Sequence, residues 1–164
     1  MEKAERVKYL FDASALYALL KRFPSNLHRL LSEIGILDLM KYEIGNALWV
    51  EARRGRVSDW LRAAEAWSVV LRRIPELSIE SLVSAEELAV QLQLTFYDAA
   101  YVSVAREKNL VLVTEDEEMH AKAQHIGVQT LTVEEFVTTQ QRANHPHRGK
   151  NENVLKSESP VGGG

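Results

Sequence analysis

Only five of the chain's 23 acidic residues are aspartates, at positions 12, 38, 59, 98 and 116. In a glutamate-rich sequence the shorter acid marks places where local geometry dictates the choice. Asp12 follows directly on the apolar run Val7–Phe11, and Asp116 stands two residues past the apolar run LVLVT, which ends at Thr114. Asp98 opens the almost wholly apolar stretch DAAYVSVA, where a lone buried charge would be very costly without a partner. Glu43 lies inside LMKYEIGNALW, with Met40, Ala47 and Val50 at helical spacing on or beside its face, so it borders core rather than solvent. Four carboxylates in one crevice would repel one another, and these segments offer no obvious basic partner. A divalent cation resolves the repulsion. An oxygen-only set suits Mg²⁺ or Mn²⁺, which can activate water and stabilise charge at a phosphate. Each acid also has a plainer role. Aspartate at a helix start commonly serves as an N-cap, so both roles stay open for Asp12, Asp98 and Asp116, and Glu43 taken alone is equally a solvated helix residue. Asp38 and Asp59 are read as helix-start residues only.

The elements that would carry these acids alternate in type. Val7–Phe11 reads as a strand, followed by a helix with Leu16, Leu19, Leu20 and Phe23 at helical spacing, closed by Pro24. Ser25 is positioned to cap another helix through Leu31. Ile34–Leu37 reads as a short buried strand, and Asp38 opens a long helix ending at Gly55. A helix from Ser58 to about Arg73 precedes Pro75, and Glu76–Glu80 is a candidate strand. Ser84 with Glu87 forms a capping-box pattern. Tyr97–Lys108 is an apolar helix, Leu110–Thr114 the clearest strand, Asp116–His125 a helix, and Gly127–Leu131 a strand. Thr132 with Glu135 caps a last helix. From about Gln140 the sequence turns polar and Pro/Gly-rich, without periodicity, which reads as a disordered tail. Strands alternating with helices argue for an α/β fold with a mainly parallel sheet. In such a sheet ligands bind beyond the carboxyl ends of the strands, so Asp12 and Asp116 would share a crevice if their strands are neighbours.

The 164 residues suit one domain and can bury a real core. Apolar residues make up 46% and charged residues 26%, which excludes a disordered or collagen-like chain. With no cysteine, thiol catalysis, disulfides, Fe–S clusters and cysteine-ligated zinc are excluded. Net charge is −3, so bulk electrostatics do not mark a polyanion binder. No apolar run approaches the roughly 20 residues of a membrane span, and the N-terminus lacks a signal-peptide core, so the expectation is a cytoplasmic protein. There is no GxGxxG, Walker A, GxSxG or HExxH sequence.

Taken together, DASAL after the first strand, YEIGNAL on a mid-chain helix, FYDAAYVSVA and LVTEDEEMHAKA resemble the PIN domain, especially its VapC-type toxin branch. The resemblance covers roughly residues 7–137, with the four motifs in the family's order. It implies a PIN-like α/β fold, a central parallel five-stranded sheet flanked by helices on both faces, and a Mg²⁺- or Mn²⁺-dependent endoribonuclease. By the same resemblance Asp12, Glu43, Asp98 and Asp116 are the catalytic, metal-holding acids, and the metal-activated water cuts the phosphodiester to leave a 3′-hydroxyl. Ser14 and Thr114 fall on hydroxyl positions that brace the acids. The resemblance further implies an RNA substrate, a homodimer and a small antitoxin protein that blocks the site. The nuclease domain is placed at 1–139 and the tail at 140–164.

The basic groups Lys21/Arg22, Arg53/Arg54/Arg56 and Arg72/Arg73 can meet RNA phosphates or simply stand solvated at helix ends. Trp60 and Trp67 read as core or a partner face rather than base-stacking platforms, and Leu88, Leu92, Leu94 and Phe96 as core or dimer contacts. His145 and His147 read as a solvated pair. A phosphatase using Asp12 as nucleophile would need a second aspartate where Ser14 stands, and a receiver domain an aspartate after a middle strand. A PIN-like module that binds RNA or protein without cutting is the alternative to the enzyme.

Overall fold

Five short parallel strands form one sheet in a computed structural model that describes residues 7–24 and 30–143. In chain order the elements are β1 (Tyr9–Phe11), α1 (Ala13–Arg22), β2 (Ile34–Leu37), α2 (Met40–Arg53), α3 (Trp60–Leu71), β3 (Glu76–Leu77), α4 (Leu82–Leu92), α5 (Phe96–Glu107), β4 (Val111–Val113), α6 (Glu117–His125), β5 (Thr130–Leu131) and α7 (Val133–Ala143). A 3₁₀ turn, Leu31–Glu33, leads into β2. Spatial order is β3-β2-β1-β4-β5, which makes β1 the central strand. Tyr9 pairs with Ile34 on one side and Val111 on the other.

Burial follows from the topology. All four residues of β2 are buried, as expected where helices cover both faces of a parallel sheet. Helix α5 is buried without interruption from Ala99 to Ala105, matching its apolar sequence. Edge-to-face contacts of Tyr9 and Phe11 with Phe136 fasten α7 to the central strand. Gly35 is required by close approach: a Cβ there would stand 2.8 Å from Val7 Cγ1 and 3.2 Å from Leu77 Cδ1. Among the described residues no helix is long and apolar enough to cross a membrane.

Several helix starts differ from the sequence reading. Asp38 caps nothing: its amide donates to the Leu77 carbonyl at 2.9 Å, extending the β2–β3 ladder, and α2 begins at Met40 without a side-chain cap. Helix α4 is capped by Ser81, which accepts from the Ser84 amide at 3.1 Å, so the Ser84–Glu87 box does not form the cap. Thr95, rather than Asp98, caps α5. Asp59 and the Thr132–Glu135 box cap as read. The helix placed after Ser25 and the tail beyond Ala143 lie outside the described residues, and residues 140–143 continue α7.

Candidate active site: an acidic cluster at the switch point

Strand order reverses direction between β1 and β4, the place where open α/β sheets bind ligands. Asp12 follows β1 and Asp116 follows β4, so the topology brings these two acids to one crevice. Asp12 is only 4% exposed, and both its oxygens are engaged. Its Oδ1 accepts from the Ser14 hydroxyl at 2.7 Å and from the Ala15 amide at 2.8 Å, capping α1, while Oδ2 accepts from the buried Thr114 hydroxyl.

The proton directions in this arrangement are fixed. The Glu115 amide donates to Ser14 Oγ at 3.0 Å, and the next amide, of Asp116, donates to Thr114 Oγ1 at 3.0 Å. Each hydroxyl oxygen thus accepts from the loop after β4 and turns its proton toward Asp12. Asp12 can take both protons only as an acceptor, so its ionised form fits the site. Burial opposes this and raises the Asp12 carboxyl above its usual range, and the nearby Asp116 charge adds to the rise; the Thr114, Ala15 and Ser14 hydrogen bonds offset part of it.

Glu43 reaches the cluster from α2 and accepts the Tyr101 hydroxyl on Oε2 at 2.6 Å. Burial raises the Glu43 carboxyl, as do the charges of Asp12 and Asp98, while the Tyr101 bond works the other way. Tyr101 is held firmly protonated by burial and by the Glu43 charge, so it is a fixed donor. Asp98 exchanges hydrogen bonds with Thr95: its Oδ2 accepts the hydroxyl at 2.7 Å and its amide donates to Oγ1 at 3.2 Å. Asp116 is exposed and caps α6, accepting the Met119 amide at 2.8 Å. The cap role left open by the sequence is therefore filled at Asp12 and Asp116.

The four acids thus share one electrostatic neighbourhood, with Asp12 coupled to Asp116 and Glu43, and Glu43 to Asp98. Among the described residues none of the four is ion-paired, and one oxygen each of Glu43, Asp98 and Asp116 accepts no hydrogen bond. Among the described residues no group of three or more histidine, aspartate or glutamate side chains is arranged to hold a metal ion as it stands. By donor chemistry the set fits a hard divalent cation: all oxygen, like-charged and with open lone pairs.

Sequence reasoning did not single out Tyr101 or Thr95, and it left Glu115 as a neighbour able to share the role of Asp116. Tyr101 lies one turn beyond Asp98, and a tyrosine in an apolar helix needs a partner for its hydroxyl. Thr95 precedes Asp98 by three residues, a T-x-x-D capping spacing. Glu115 accepts the Val133 amide at 2.9 Å and pairs with Arg22 at 3.1 Å, so it ties α1 and α7 to the loop after β4.

Comparison with known proteins agrees with this architecture. Residues 9–125 match the PIN domain family. Exonuclease VapC9 of Pyrobaculum aerophilum is 47% identical over 129 residues, 77% of this chain and 95% of that protein. Ribonuclease VapC3 of the same organism is 34% identical over 126 residues, 71% of this chain and 95% of that protein. The crystal structure of PAE2754 from Pyrobaculum aerophilum superposes with a TM-score of 0.72 at 41% identity, covering 85% of this chain and 98% of the other. With its sheet order, its motifs and these relatives in agreement, the chain belongs to the PIN domain family, in its VapC-type branch.

Proposed function

We propose that the chain is a cytoplasmic ribonuclease that hydrolyses RNA phosphodiester bonds with Mg²⁺ or Mn²⁺, and that it is the toxin of a toxin–antitoxin pair. Asp12, Glu43, Asp98 and Asp116 are its catalytic, metal-holding acids, and residues 1–139 its nuclease domain, with 140–164 as a tail. The observation that carries this reading is the commitment of two hydroxyl protons to Asp12, which favours the carboxylate form of a buried acid at the switch point against the pull of burial.

Within the chain the division of labour is as follows. Ser14 and Thr114 hold Asp12 in one orientation and, by donating to it, favour its carboxylate form. Tyr101 fixes Glu43 through Oε2 and leaves Oε1 open. Asp98 and Asp116 are each fixed through one oxygen by a helix start and keep the other open. A divalent cation bound by this set supplies neutralisation of the acids and Lewis acidity toward water and phosphate.

The partners proposed are the RNA substrate, a second copy of the chain as a homodimer and an antitoxin protein. Trp49, Trp60 and Leu61 are among the exposed large apolar side chains available to such protein contacts. Light scattering of the purified chain tests the dimer.

Cleavage of a labelled single-stranded RNA with Mn²⁺, with Mg²⁺ and with EDTA tests the activity. Cutting should require the metal and fall by more than about 100-fold in Asp12→Asn or Asp98→Asn, since even residues behind metal ligands are worth roughly 10- to 100-fold. Metal-independent cutting, or full activity in both variants, overturns the reading. A relative named as an exonuclease makes the end requirement a second question, and a circular RNA answers it. Only an endonuclease opens the circle. RNA binding without cutting, unaffected by metal, would instead support a non-catalytic PIN-like binding module.

A further inference from the structure

A ribonuclease of this kind, on the reading just proposed, must guide its strand past the acids. Beside the cluster a groove of about 600 Å³ opens between α1 and α2. At one end it is walled by Ser14, which is bonded to Asp12, and by Ile44 and Ala47, which follow Glu43 on α2. Its floor is aliphatic and aromatic, with Tyr17 held in place by stacking on Trp67 at 5.5 Å. Lys21, Arg56 and Glu51 supply its charged lining. Arg56 is paired with Glu51 at 3.1 Å, whereas Lys21 makes no ion pair among the described residues.

Helices α1 and α2, which follow Asp12 and carry Glu43, thus also wall this groove, and its charged lining is the Arg56–Glu51 pair with Lys21, which has no ion pair among the described residues. Lys21 lies seven residues beyond Ser14 on α1, about 10 Å along the helix, the reach of one or two nucleotides of single strand. Phosphate alone has no use for an apolar floor, and a duplex presents no free base to it. An unpaired nucleotide uses both parts, its base on the floor and its phosphate at the cation. We propose that this groove binds an unpaired nucleotide of the RNA next to the cleaved bond, with the base against Tyr17, Ile44 and Ala47 and its phosphate at Lys21.

The test uses the full chain with Lys21→Ala, Lys21→Glu and Ala47→Leu, none of which touches an acid of the cluster. Binding of a labelled oligouridylate is measured in EDTA across a salt series, and KM and kcat with metal. Lys21→Ala should weaken binding roughly three- to tenfold and lower the salt slope by about 0.7, the value of one single-strand phosphate contact. Ala47→Leu, which narrows the groove, should raise KM with kcat retained. The same variants should leave binding of a blunt RNA duplex unchanged. Wild-type affinity and KM in both Lys21→Glu and Ala47→Leu would overturn the proposal and leave the groove to a protein segment. An equal loss for duplex and single strand would overturn it too, because a duplex offers phosphates without a free base. If the unsubstituted chain neither binds nor cuts RNA, the ribonuclease reading itself falls, a result distinct from intact cleavage with unaltered KM.

Discussion

Asp12 and Glu43 meet burial with different support. Asp12 accepts from three donors, two of them hydroxyls already oriented by backbone amides, whereas Glu43 accepts from Tyr101 alone. In Asp12→Ala the Ala15 amide and the buried Thr114 hydroxyl lose their acceptor, so metal-free stability should fall by about 1–3 kcal/mol in urea unfolding. Glu43→Gln keeps an acceptor for Tyr101 and removes a charge disfavoured by burial, Asp12 and Asp98, so its metal-free Tm at pH 7 should equal or exceed wild type. The sign with pH follows from the raised Glu43 carboxyl. A folded state that holds the proton more tightly is favoured below the ordinary value of 4.5 and loses that advantage as pH rises through the higher folded value. Thermal scans in EDTA should therefore show the gap between Glu43→Gln and wild type widening from pH 4 to pH 7. A Glu43→Gln protein clearly less stable than wild type at pH 7 would contradict this. The acids themselves could be read in the sequence because each follows a strand or sits in an apolar helix. Tyr101 could not be paired in advance, because its partner lies 58 residues away on another helix.

Helix termini carry the acids, so errors at helix starts matter more here than errors in helix bodies. The strands and the helical cores follow from periodicity alone, and the order of elements matches the reading from Ile34 onward. The starts depended on tertiary competition. Asp38 gave its amide to the neighbouring strand, and Ser81 took the cap that Ser84 was positioned to provide. Glu115 was a neighbour of Asp116 that could have shared its role, yet its carboxylate is occupied by the Val133 amide and Arg22. Glu115→Ala should cost about 1 kcal/mol through the lost α7 amide contact, with the half-exposed Arg22 pair adding little. Glu115→Gln, which still accepts from Val133, should retain most of that stability. Equal losses in the two variants, read by urea unfolding, would place the contribution in the ion pair instead.

Across the whole molecule, a cation that binds only the folded cluster must stabilise the fold. Mg²⁺ or Mn²⁺ at a hundredfold excess over Kd should add about 2.7 kcal/mol, visible as a rise in Tm, and Asp12→Asn should abolish the rise. No shift for wild type at millimolar metal would count against a formed site. The central place of β1 has a consequence for how the protein comes into being. Asp12 leaves the ribosome before the hydroxyl that orients it, which belongs to Thr114, 102 residues later. At ordinary synthesis speeds of about 5–20 residues per second, roughly 5–20 seconds separate the two. During that interval the nascent chain gains Glu43 and Asp98 but lacks the hydroxyl that orients Asp12. If Asp12 cuts as proposed, the growing chain lacks an oriented Asp12 throughout that interval, and the cutting centre is completed only once Thr114 has emerged.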